Sequence, residues 1–279
     1  MYRKLFFENF WSGEQKNELF VSMSFDFDEK FKKIEECGKN VGFQNVTWTK
    51  GTLGAKEIST KILDNVAHSK VLLFDLSDDP KKHGQSCLEK INENVIYELG
   101  IATSIRAEED ILLIREGDAI KPEELPFDIR DLSINPYGEK LENYWLEPIL
   151  KKFLDEQDWY RGKRIEIASK SIDGEGIELM YLHGRCPKGY NHFGSKGMET
   201  GHKISALRLL DLGILRTEWG CYRKGFEYAY HWTPFGYAVM KHLGIEELSM
   251  DEFEEMPEYE EHQKFLVGYR EFKRRVSEK

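Results

Sequence analysis

Val71-Leu72-Leu73-Phe74-Asp75-Leu76 decides the fold. Asp75 aside, every residue is apolar and nothing alternates, so neither face of the segment can be left in water. Such a run reads as a strand in the middle of a parallel sheet, covered on both sides. Upstream, Leu19 to Phe25 reads as a second buried strand. The helical pattern after it carries Phe27, Phe31 and Ile34 and ends around Gly38 to Gly42. Val46-Thr47-Trp48-Thr49 reads as a short strand, and Glu57 to Ala67 as a helix with Ile58, Ile62, Leu63 and Val66 on one face. Downstream come a polar segment, Ser77 to Lys90, and a helix opened by Asn92-Glu93-Asn94-Val95-Ile96-Tyr97-Glu98-Leu99-Gly100. Ile111 to Ile114 and Leu132 to Asn135 read as two more strands, and Leu141 to Leu154 as a closing helix.

Strands alternating with helices predict an α/β domain over residues 1–160, a five-stranded doubly wound (flavodoxin-like) parallel sheet. Ligands of such sheets bind beyond the carboxyl ends of the strands, where the strand order reverses. Ser24 and Phe25, Thr49 and Lys50, Asp75 and Ser77, and Glu98 all follow strands or start a helix, so four separated stretches converge on one rim. Glu98 shares a helical face with Ile101, Ala102 and Ile105. A carboxylate on that stripe must be paired, hydrogen-bonded or functional. Two readings stand: a working carboxylate lining a pocket, or a helix-start acid satisfied by backbone N–H groups. There is no G-x-G-x-x-G and no P-loop, so ordinary dinucleotide or triphosphate binding is not indicated.

The net charge of −10 over 279 residues is uneven: −10 for 1–160, +5 for 161–245 and −5 for the acidic extension 246–279. A basic middle segment hints at a module with a polyanionic partner. The four cysteines form no C-x-x-C pair, and no apolar run approaches the length of a membrane span. No signal-peptide pattern opens the chain, so a cytoplasmic location without membrane partners is expected. His68 and His83 lack metal-ligand spacing, and Cys186, His192 and His202 match no standard zinc pattern, so no metal site is predicted.

Beyond residue 160, Lys163 to Gly184 reads as helical with a break at Asp173-Gly174. A Gly-rich loop follows, then a helix from Thr200 to Leu212. Ile214 to Thr217 and Tyr228 to Trp232 read as a hairpin around Arg223, Lys224 and Gly225. Thr233-Pro234-Phe235-Gly236 starts a further helix, Tyr237 to Leu243. The tail from Glu246 reads as an exposed helix or a dimer arm, so a homo-oligomer is expected.

Residues 17–155 resemble the nucleoside 2-deoxyribosyltransferase-like family, which overlaps with the TIR-like nucleotide-binding proteins. The resemblance rests on Val21-Ser22-Met23-Ser24-Phe25, the helix Ile58 to Val66, Phe74-Asp75-Leu76-Ser77, the stretch Asn92 to Ala102, and Leu125-Pro126-Phe127-Asp128-Ile129. The insertion Asp78 to Ile91 is longer than the family's usual few residues. The resemblance implies cleavage or exchange of an N-glycosidic bond, with Glu98 as the carboxylate at the anomeric carbon. NAD is the implied substrate, and no cofactor is required. Asp75 would hold a ribose hydroxyl or orient Glu98, or else cap a turn. Ser24 and Phe25 would border ribose and base, Lys50 a phosphate, and Ser77 the same rim. Asn92 and Asn94 are helix caps first and ligand contacts second, Tyr97 is a supporting hydroxyl or a packed aromatic, and Asp128 is structural. Residues 165–245 resemble a winged-helix module, a smaller α+β domain. Lys203 and Arg208 on its helix, with Arg223 and Lys224 at the wing, would touch phosphates if DNA binds. The other partner for such a module is a regulatory protein. The domain order is similar to effectors of bacterial antiphage systems, including retron-associated ones. Two further readings are a non-catalytic nucleotide-sensing, DNA-binding regulator and a nucleoside deoxyribosyltransferase.

Overall fold

The computed structural model describes residues 16–48, 55–82, 87–117, 133–187, 189–194, 198–222 and 225–277. Lys50, His83, Asp128, Arg223 and Lys224 lie outside the described residues. The chain divides into two compact units, with the boundary between Tyr160 and Arg161.

In the first unit the elements run β1 (Lys16–Ser22), α1 (Asp28–Val41), β2 (Asn45–Trp48), α2 (Ala55–His68), β3 (Ser69–Asp75), α3 (Cys87–Lys90), α4 (Glu93–Ile105), β4 (Ile111–Glu116), β5 (Ile134–Tyr137) and the start of α5 (Asn143–Lys170). The sheet order is β2-β1-β3-β4-β5 and every pairing is parallel, which is the flavodoxin-like arrangement. The unbroken apolar strands follow from two-sided burial. Leu19, Val21, Val71, Leu73, Leu112 and Ile114 pack with Ile34 and Cys37 of α1 and Leu146 and Leu150 of α5. Their neighbours in sequence, Phe20, Leu72, Phe74 and Leu113, pack on the other face with Val66 of α2 and Val95, Leu99 and Ala102 of α4. Period-two alternation therefore sorts two cores rather than a core and a wet face. All the carboxyl ends share one edge, and the order reverses between β1 and β3.

Two helices expected separately, Leu141 to Leu154 and one from Lys163, are a single helix of 28 residues. The intervening residues, 155–162, carry no apolar periodicity. They are held instead by Gln157, a fully buried side chain. Its Nε2 donates to Asp110 Oδ1 at 2.6 Å and to the Lys70 carbonyl at 2.9 Å. Asp110 also binds the buried Arg106, whose guanidinium caps the carbonyls of Val66 and Ser69. The break at Asp173 is real. Asp173 caps α6 (Gly174–Leu179), which runs into a π-helical turn, Met180–Gly184. β5 is described over Ile134–Tyr137, and Leu132, where the expected strand starts, lies outside the described residues.

The second unit continues with β6 (Phe193–Gly194), α7 (Thr200–Asp211), β7 (Leu215–Tyr222), β8 (Gly225–Trp232), α8 (Pro234–His242), α9 (Met250–Glu254) and α10 (Tyr259–Ser277). Its sheet is antiparallel in the order β6-β8-β7. The hairpin is longer than its apolar stretches suggest, with Tyr222 paired to Gly225. β6 was hidden in the Gly-rich loop. The tail is not a free arm: Phe253 is fully buried, and His262 and Leu266 are buried too. No helix among the described residues is long and apolar enough to cross a membrane.

Candidate functional site

Two strand ends and one helix start build a cleft in the first unit. β1 contributes Val21, Ser22 and the following Met23 and Phe25, β2 contributes Trp48, and the start of α4 contributes Asn92, Asn94, Val95 and Glu98. Its space is about 260 Å³, including the part open to solvent. It lies at the carboxyl edge of β1, beside the point where strand order reverses, as expected for this topology. Val95 and Glu98 are one helical turn apart, so an apolar residue and a carboxylate enter the cleft together.

Glu98 is half-buried. Ser22 Oγ donates to its Oε2 at 2.6 Å. Among the described residues its other oxygen, Oε1, accepts no hydrogen bond. Burial pushes the Glu98 carboxyl above its ordinary pKa, and the Ser22 hydroxyl pulls it part of the way back. The aromatic wall opposite is Phe25, whose ring lies 6.3 Å from that of Trp48, with Phe31 behind Trp48 at 4.8 Å. Phe25 is 42% exposed.

Asn94 stands in the cleft as expected, and its backbone N–H is capped by Asn92 Oδ1 at 3.0 Å. The Nδ2 of the same Asn92 side chain donates to Asp79 Oδ2 at 2.7 Å. Ser24, expected at the ligand, is buried and donates to the same Asp79 oxygen at 3.0 Å. The Lys81 N–H donates to the other oxygen. Burial works against the Asp79 charge, but the donors at Lys81, Asn92 and Ser24 outweigh it and hold the carboxyl below its usual value. Tyr97 is 71% exposed and does not line the cleft.

Asp75 and Ser77 form a separate cluster, which corrects their expected place beside Glu98. The Asp75 side chain is fully buried and pairs with Lys30 Nζ of α1 at 3.1 Å. Ser77 donates to Asp75 through both its hydroxyl and its N–H, and its Oγ meets the Tyr137 hydroxyl at 3.1 Å. Lys30 also binds Glu116 at 3.1 Å. Burial opposes the Lys30 charge, yet Asp75 and Tyr137 outweigh it and raise its pKa. Burial, then the Asp75 charge, push the Tyr137 phenol up to about 12. A carboxylate so enclosed is an internal ion pair rather than a ligand contact.

Sequence reasoning missed Ser22, Trp48 and Asp79 as site-forming residues. A serine closing an otherwise apolar strand was a usable signal for Ser22. At β2 the cleft is lined by Trp48, while Thr49 and Lys50 lie outside the described residues. Nothing local marks Asp79 over its neighbour Asp78.

In the second unit, Lys203 lies on the exposed side of α7. Arg208 is not free for phosphate, because its guanidinium binds Asp173. Ile204 and Leu207, between them on the same side, are 49% and 58% exposed. His192, grouped by sequence with Cys186 and His202, instead lies tilted against His231 with ring centroids 4.2 Å apart, and Cys186 lies 3.7 Å from His262. Among the described residues, Glu175, Glu178 and His202 form the one group with metal-ligating atoms drawn together. Set against family models, curated proteins and solved structures, the chain finds no match in any of the three.

Proposed function

We propose that the first unit cleaves the N-glycosidic bond of NAD or a related nucleotide, with Glu98 as the working carboxylate. The observation that carries this reading is the half-buried Glu98 carboxylate, one oxygen held by Ser22 and the other turned loose in a cleft at the strand-order reversal. The resemblance of Asn92 to Ala102 to the deoxyribosyltransferase-like pattern supports the same role. In the reaction the bond from the ribose C1′ to the base nitrogen breaks and its electron pair leaves with the base. The cationic sugar that develops is stabilised, or captured, by the carboxylate. Water then adds at C1′ and gives up a proton. Nicotinamide leaves readily because it starts as a cation, so no strong general acid is needed. Ser22 fixes the carboxylate before the charge develops, which is electrostatic preorganisation. Phe25 and Trp48 offer a surface for a planar base.

The second unit is read as the regulatory module of such an effector, in an antiphage setting. Exposed Ile204 and Leu207, with Arg208 engaged by Asp173, favour a protein partner over DNA on α7. That observation also weakens the alternative of a DNA-binding regulator. The test is release of base. Purified protein and a Glu98→Gln variant are incubated with NAD and with a panel of deoxynucleosides, and free base is measured. Release from NAD by the parent alone supports the proposal. Release from deoxynucleosides alone moves the assignment to a deoxyribosyltransferase. Tight NAD binding without release by either protein overturns the enzyme reading.

A further inference from the structure

We propose that Glu175, Glu178 and His202 form a binding site for a divalent transition-metal ion of the Zn²⁺ type in the second unit. Glu175 and Glu178 sit one helical turn apart on α6, so both carboxylates face the same way. His202 comes from the first turn of α7. The three ligating atoms, one from each side chain, all lie within 4.8 Å of one another.

The contacts are poor as hydrogen bonds and good as edges of a coordination shell. His202 Nε2 is 3.2 Å from Glu175 Oε2 and 3.4 Å from Glu178 Oε2. Charge-assisted N–H···O bonds close to about 2.7–2.9 Å. Nε2 is shielded from solvent, yet its approach to either carboxylate fails the geometry of a hydrogen bond. Tetrahedral zinc with bonds of about 2.0–2.1 Å places neighbouring ligand atoms about 3.3–3.4 Å apart. A right-angled octahedral pair at about 2.1 Å, as for Mg²⁺, would stand about 3.0 Å apart. The two histidine–carboxylate separations fit the tetrahedral shell better, and one imidazole with two carboxylates is a donor set that zinc accepts.

The surroundings hold this geometry in place. Gly201, next to His202, lets the Glu175 carboxylate lie where a side chain would be: an added Cβ would stand 3.0–3.1 Å from its carboxyl atoms. Asp173 ties the two helices together. Its Oδ1 accepts from Gly176 N–H of α6 at 2.8 Å and from Ser205 Oγ of α7 at 2.7 Å, while Oδ2 takes Arg208. Both glutamates are about half exposed, which leaves an open side for ion entry and a water ligand. The sequence could not show this site, because a Glu-x-x-Glu and a histidine 24 residues further on match no standard spacing.

The inference is independent of the Glu98 reading, and its test uses no catalytic readout. Full-length protein, freed of any affinity tag and stripped with EDTA, is titrated calorimetrically with ZnCl₂ and with MgCl₂. One equivalent of Zn²⁺ should bind, well ahead of Mg²⁺. His202→Ala should weaken Zn²⁺ binding by about tenfold or more. The exposed-site pair Glu175→Gln and Glu178→Gln should do the same, and it guards against a His202 variant that misfolds. Zinc-edge X-ray absorption should report nitrogen and oxygen donors. Undiminished binding in the double glutamine variant overturns the site. So does a sulfur donor, which would move the ion to a cysteine, or no heat of binding up to about 0.1 mM Zn²⁺.

Discussion

Glu98 carries a price for being where it is. Its carboxyl prefers the proton more in the folded chain than in the unfolded one, because burial disfavours the anion more than Ser22 favours it. The sign follows by linkage: its contribution to stability is fully present below the unfolded value near 4.5 and is lost as pH rises through the folded value. At neutral pH an ionised Glu98 therefore weakens the fold. Glu98→Gln should stabilise the first unit at pH 7 by about 0.5–2 kcal/mol, with the gain vanishing near pH 4. Urea melts at the two pH values check this; a variant no more stable at pH 7 would contradict it. Asp75 is the opposite kind of acid. It is sealed in, and Lys30, 45 residues away in sequence, neutralises it. Lys30→Met should cost about 3–5 kcal/mol, because it strands a fully buried carboxylate. A loss below about 1 kcal/mol in the same melts would mean that Asp75 has another way to discharge. The two acids look alike in sequence, each polar within an apolar stretch. Only their partners separate a working group from an internal ion pair, and those partners lie at separations of 76 and 45 residues.

Elements were legible where one local rule decides them. β3 and β1 are apolar without alternation, and that alone requires cover on both faces. Thr233-Pro234-Phe235-Gly236 announces α8 through its chemistry. Thr233 caps the Gly236 N–H at 3.0 Å, and Pro234 takes a first-turn position where its missing N–H is no loss. The glycine has a second reason to be there. A Cβ at Gly236 would overlap the Ile214 carbonyl oxygen, a backbone atom that cannot swing aside. Gly236→Ala should therefore cost about 1–3 kcal/mol despite the better helix propensity of alanine. Thermal melts following the second unit check the sign, and a stabilised variant would show that β7 and α8 can separate. Elements were illegible where tertiary bonds decide. α5 runs on past Leu154 through Gln157 and its partners on the first sheet, and β6 exists because Phe193 and Gly194 pair with Tyr230 and Ala229. Neither carries a local signal. The cleft falls between these cases: its topology and Glu98 were readable, but Asp79, which holds both Ser24 and Asn92, is a contact across the 78–91 insertion.

At the scale of the molecule the two units respond differently to acid. The first holds its rim with carboxylates: Asp79 is kept below its usual pKa despite burial, so its contribution is present above about 4 and fades as pH falls further. The second encloses histidines. His183 stacks on Phe193 at 4.4 Å and meets His262 edge-on at 5.0 Å. Burial, then the neighbouring His262 and His202, push His183 down to about 3. Burial also lowers His262, against the Leu182 carbonyl and the nearby glutamates. A histidine depressed in this way stays neutral in the folded chain while the unfolded chain takes up a proton. Its contribution is complete above about 6.5 and is lost progressively as pH falls towards 3. The slope is about 1.4 kcal/mol per pH unit for each such group. Lowering the pH from 7.5 to 5.5 should thus weaken the second unit by about 1–2 kcal/mol while sparing the first, whose Asp79 is held below its usual value. Hydrogen exchange reads the two units separately, through amides of β8 and of β3. His183→Phe keeps a ring against Phe193 without a titrating nitrogen, and it should remove the greater part of the pH dependence in β8 alone. Equal acid weakening of β3 and β8, or a His183→Phe profile that follows the parent, would mean that His183 does not set the acid limit of the second unit.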